Sequence, residues 1–112
     1  MSEIRAHELK CWPEFFHPLR RGAKPFELRK NDRDYQVGDY LLIREFDPMY
    51  GGNYTGRKEY RKVVYLLTHD QAPDGLKEGF AILVLRQVND SDIEPIDAAL
   101  WNKHKAPAEA AS

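Results

Sequence analysis

Lys24, Glu27 and Arg29 form the densest chemical cluster in the chain. Residues 25–30, PFELRK, alternate with period two, so an extended segment puts Phe26 and Leu28 on one face and Glu27 and Arg29 on the other. Lys24 stands just before, at the turn into that strand. An ammonium, a carboxylate and a guanidinium can therefore meet at one small ligand. Arg supplies a planar fork for phosphate or a base edge, Lys a point charge, and Glu an acceptor for amino or hydroxyl groups. A solvated strand face with an ordinary Glu–Arg pair fits the same spacing, and such pairs contribute little.

Other side chains extend the set. Arg33, in the polar turn Asn31-Asp32-Arg33-Asp34, can stand beside the cleft, while Asn31 and Asp34 suit bonds to their own backbone. His7, Lys10 and Trp12 lie on or just past a first strand. Trp12 can stack on a nucleobase or staple the following helix, and His7 can act as a base or serve as a structural residue. Tyr50 sits in the loop Asp47–Asn53, which has the makings of a flexible lid. Arg57, Lys58, Arg61 and Lys62 form a second basic cluster, either a phosphate track or a solvated hairpin end. The chain has no Gly-rich phosphate loop, GxSxG, HExxH or paired-carboxylate motif. No Cys/His spacing suits zinc, and no metal or cofactor is expected.

The elements that must position these groups read as β-α-β-β-β-β with a possible short terminal helix. The strands are 4–11, 25–30, 40–46, 54–67 and 80–88. Pro13 starts the first helix, with Phe15, Phe16 and Leu19 at helical spacing, Pro18 shortening or kinking it and Gly22 as its C-cap. Ile93, Ile96, Leu100 and Trp101 suit the closing helix. Short strands joined by hairpin-length loops predict a small α+β fold with a closed or nearly closed β-barrel.

The chain's 112 residues suit one domain, 1–105, with 106–112 as a disordered tail. An apolar fraction of 42% supplies one core, and no apolar run is long enough to span a bilayer, so no membrane partner is expected. A single cysteine and a start without an apolar signal segment point to the cytoplasm. The net charge of −1 conceals a segregation. Arg20, Arg21, Lys24, Arg29, Lys30 and Arg33 crowd one stretch, and Asp70, Asp74, Glu78, Asp90, Asp92, Glu94 and Asp97 another. A pI near 6.4 argues against non-specific wrapping of DNA and leaves a local basic cleft for one anionic or polar ligand.

HELKCWPEFF followed by GAKPFELRKNDRDYQVGDYLLIREFD resembles the small PUA-like domains related to the ASCH group, from about His7 to Leu85. The specific parts are GxKxxExR, here Gly22, Lys24, Glu27 and Arg29, and VGD, here Val37, Gly38 and Asp39. The stretch after Val88 lies outside the resemblance. One branch, found in bacteria and phages, is mainly uncharacterised and has RNA binding only as a proposed role. The resemblance implies a PUA-like barrel of five to six mixed strands with one helix between the first two. It also implies a cleft between helix and barrel, lined by GxKxxExR, for RNA, single-stranded nucleic acid or a modified nucleoside.

Lys10, Trp12, Lys24, Glu27, Arg29, Arg33 and Tyr50 are then the expected binding residues. Some ASCH relatives are amidohydrolases of acylated cytidine with this lysine in the catalytic set. That alternative would make Lys24 and Glu27 catalytic, although those enzymes tend to carry Thr at the position of Glu27. A third reading is a regulator that meets a protein partner through its acidic C-terminal face.

Overall fold

The structure, a computed structural model, describes residues 4–49 and 51–110, with side chains through Lys103. Tyr50 lies outside the described residues. The element order is β1 (Ala6–Cys11), α1 (Pro13–Arg21), β2 (Phe26–Lys30), β3 (Tyr40–Asp47), β4 (Asn53–Thr68), β5 (Phe80–Gln87) and α2 (Asp90–Ala110). The fold is mixed α+β. Its five strands form one curled sheet in the order β1-β3-β4-β5-β2, with β1 parallel to β3 and the other pairs antiparallel.

β1 and β2 are the two sheet edges, and α1 connects them directly. A short helix between opposite edges keeps the sheet curled with α1 across its concave side. Phe16 and Leu19 of α1 are buried against Leu9, Leu41, Ile43, Val63 and Leu83 in the inner core. Phe15, expected on the same helical face, is instead 49% exposed. Pro18 lies inside the helix without ending it. The helix stops at Gly22, whose φ of 84° is the left-handed region open to glycine, and Gly22 N–H donates to Leu19 O at 3.1 Å. That reversal delivers Lys24 to the start of β2.

The convex side carries a second, smaller core. Ile96 and Leu100 of α2 pack on Ala6 and Leu42, so β1 is covered on both faces. The terminal helix is longer than the short element expected from sequence. Its backbone continues to Ala110, into the stretch that composition assigns to a tail.

β4 bends twice. The β3–β4 register shifts between Arg44 and Phe46, leaving Glu45 opposite the segment Thr55-Gly56-Arg57, where Gly56 has φ 98°. The β4–β5 register shifts between Val63 and Tyr65. Bulges re-aim side chains, and the first one turns Thr55 and Arg57 onto Glu45.

Candidate functional site

Strand β2 is inverted relative to ordinary amphipathy. Glu27 pairs with Leu83, Arg29 with Ala81, and both partners are fully buried. The charged face of β2 therefore points inward and Phe26 and Leu28 point outward. The structure brings Lys24, Glu27 and Arg29 into one cluster. Lys24 Nζ donates to Glu27 Oε2 at 2.8 Å and to Phe26 O at 2.9 Å, and Arg29 Nε donates to Glu27 Oε1 at 3.2 Å. Glu27 is 4% exposed. A buried carboxylate is tolerable only when paired and hydrogen-bonded, and here both oxygens are engaged. The picture of a solvated surface pair does not hold for these residues.

Cys11 reaches the same carboxylate, its Sγ 4.0 Å from Glu27 Oε2. Burial first, then the negative charge of Glu27, push the Cys11 thiol up to about 11. Cys11 is thus a protonated donor at neutral pH rather than a nucleophile.

A second buried carboxylate, Glu45, pairs in register with Cys11 across β1 and β3. Sequence reasoning missed it. The available signal was its place as the third inward position after Leu41 and Ile43, both fully buried. Thr55 Oγ1 and Arg57 Nε each donate to Glu45 Oε1 at 2.6 Å. Desolvation alone would raise this carboxyl, but the Thr55 and Arg57 hydrogen bonds outweigh it and hold it below its usual range. Glu45 Oε2 lies 3.1 Å from His17 Nε2, an ion-pair distance without hydrogen-bond geometry, and no donor satisfies that oxygen among the described residues.

The basic residues sort into different duties. Arg61, 6% exposed, donates to Leu19 O at 3.2 Å and caps the end of α1, and Arg57 is committed to Glu45. Residues 57–62 therefore do not form a continuous phosphate track. Trp12 is 50% exposed at the N-cap of α1.

A chain of cations runs along the free edge of β1. Tyr40 N–H donates to Arg5 O, so by alternation the carbonyls of Ala6, Glu8 and Lys10 face away from β3. Each of the three accepts a cationic side chain. Lys103 Nζ reaches Ala6 O at 3.3 Å, Arg33 Nη1 reaches Glu8 O at 2.6 Å, and Arg29 Nη2 reaches Lys10 O at 2.7 Å.

Between this edge and α2 opens a cleft of about 1330 Å³. Arg5, His7, Lys10, Arg33 and Lys103 line it, and Glu8 is its one acid among the lining residues. Glu8 is itself paired to Arg44 at 2.7 Å. Burial first, then the charges of Arg33 and Arg5, pull the Lys103 ammonium below its ordinary value.

His7 is held within this cleft. Its Nε2 lies 2.9 Å from Asp39 Oδ2, and Lys103 Nζ lies 3.3 Å from Nδ1. A proton on Nε2 satisfies both contacts, donating to Asp39 and accepting from Lys103. Burial lowers the His7 pKa despite the Asp39 bond. The same Asp39 oxygen accepts from Gln36 N–H at 2.9 Å, so the VGD turn both forms the strand start and orients the imidazole.

Of the expected site residues, Lys10 and Arg33 line the cleft, whereas Lys24, Glu27 and Arg29 form the neighbouring buried cluster. The link between the two is Arg29, through Lys10 O. Among the described residues, no three His, Cys, Asp or Glu side chains converge as metal ligands, and no helix is long and apolar enough to cross a membrane.

A family model for a domain of unknown function, DUF3850, matches residues 6–85. The "uncharacterized 12.9 kDa protein in GpA 3'region" of Escherichia phage P2 is 39% identical over 54 residues, covering 48% of this chain and 47% of that protein. The match thus spans about half of each.

Proposed function

The chain belongs to the DUF3850 family, and we propose that it is a PUA-like, ASCH-related module that binds single-stranded RNA or a nucleotide-like ligand in the cleft between β1 and α2. The observation that supports this most is the crowding of Arg5, Lys10, Arg33 and Lys103 around one open cleft whose only lining acid is already paired. Such a surface attracts phosphate. Arg33 and Arg29 are pre-positioned by β1 carbonyls, which limits the entropy they lose on binding. Trp12, just past the end of the same strand, offers a half-exposed ring for a base, as RNA modules that splay single strands do. The β-α-β-β-β-β order and the GxKxxExR cluster at the α1–β2 turn support the PUA-like assignment.

Fluorescence anisotropy with a labelled single-stranded RNA tests the reading. Affinity should fall as salt rises, with a slope reduced by about one phosphate contact in Lys10→Gln. RNA affinity equal in Lys10→Gln, Lys103→Gln and the parent chain at every salt concentration would overturn it.

A further inference from the structure

The convex face of the sheet has two halves, and among the described residues only one is covered. Over β1, β3 and β4, α2 sets Ile96 and Leu100 on Ala6 and Leu42, and the Tyr60 hydroxyl donates to Asp97 at 2.8 Å. Lys58 and Lys62 flank this seat, lying over the Tyr60 and Tyr40 rings. The seated segment is acidic. It carries Asp90, Asp92, Glu94 and Asp97, with no base before Lys103. The fold therefore displays what this sheet accepts: an amphipathic helix with an apolar stripe and an acidic flank.

The other half repeats that chemistry with its large side chains left open among the described residues. Register places Tyr65, Val84 and Phe26 in one row across β4, β5 and β2, and Leu67, Ile82 and Leu28 in the next. Phe26 is 40%, Tyr65 53% and Leu28 57% exposed. Neighbouring strands lie about 4.8 Å apart, so a row spans about 10 Å, the width of one helix. The flanking outward positions are Lys30, Lys62 and Arg86, and no acid occupies an outward position on these three strand segments.

We propose that this bare half-face, β4–β5–β2, docks an acidic amphipathic helix of a partner protein. Charge complementarity selects the occupant. A second copy related by a two-fold axis would set Lys30 and Arg86 against like charges. Four of the six apolar residues are aliphatic and offer no ring for a nucleobase, whereas a helix stripe buries aliphatic and aromatic groups alike.

The test is an NMR titration of the isotopically labelled full chain with a synthetic peptide of residues 89–102, whose composition matches the proposed occupant. Saturable shifts are expected at Phe26, Leu28, Ile82 and Val84. They should be absent in Leu28→Asp and weakened by about tenfold in Lys30→Glu/Arg86→Glu, with circular dichroism unchanged in both. Several results would overturn the proposal: no saturable shift at millimolar peptide, shifts confined to β1 and α2, or shifts at this face on raising protein concentration without peptide. Tighter binding of single-stranded oligouridine than of peptide at this face would reassign it to nucleic acid.

Discussion

Glu27 and Leu28 are neighbours on β2 and have exchanged the environments their chemistry would choose: the carboxylate is 4% exposed and the leucine 57%. The stability of the strand should follow this inversion. Glu27→Ala strips two cations of their shared partner in a buried setting and is expected to cost about 3 kcal/mol. Leu28→Ala removes an exposed side chain and should stay within about 0.5 kcal/mol. Urea denaturation of the two variants measures the contrast, and a Leu28→Ala variant as destabilised as Glu27→Ala would contradict the inward placement of the charges.

Cys11 reports on the same cluster. At pH 8 the native thiol, pushed up to about 11 by burial and by Glu27, should react with a disulfide reagent far more slowly than the unfolded chain. In Glu27→Gln the repelling charge is gone while Lys24 and Arg29 remain, so the thiol pKa should fall and labelling should accelerate. Rates followed between pH 7 and 10 give that shift directly.

His7 should make stability depend on pH in the mildly acidic range. Its folded pKa lies below the ordinary 6.5, so the unfolded chain binds the extra proton first. Stability is then complete above 6.5 and declines as pH falls from there toward the folded pKa. In His7→Gln the thermal midpoint should vary less between pH 7.5 and 5.5 than in the parent chain.

Glu45 should act in a lower window and with the linkage of a depressed carboxylate. Its folded pKa lies below the ordinary 4.5, so its contribution is present above that value and is lost as pH falls through the folded pKa. Glu45→Gln is expected to cost about 2 kcal/mol at pH 7, from weakened charge-assisted bonds to Thr55 and Arg57. Stability against pH, compared for the two chains below pH 5, should show the gap closing.

Periodicity was enough to place every strand within about two residues, because the apolar runs at 40–46 and 80–88 are long and turn residues bound them. It also paired Glu27 with Arg29 on one face of β2. It could not decide which face was inner, since that depends on α1 crossing from one sheet edge to the other. The spacing of Lys24, Glu27 and Arg29 located the cluster, while Glu45 was hidden among apolar neighbours and needed the register of β1 to bring it to Cys11. The duties of Arg33 and Lys103 were beyond sequence patterns altogether. Their targets are main-chain carbonyls 25 and 97 residues away, and a carbonyl has no residue type to signal it.

Those same carbonyls impose an order on how the molecule is made. β1 leaves the ribosome before its parallel partner β3, which follows some thirty residues later, and the side chain that closes Ala6 O is Lys103. Until Lys103 has emerged, Ala6 O stays unsealed after Arg29 and Arg33 have closed Lys10 O and Glu8 O, and that end of the β1 edge remains a template for wrong pairing. Truncations that remove Lys103 would be expected to fail first at the N-terminus, as aggregation through β1 rather than as loss of the distant helix alone.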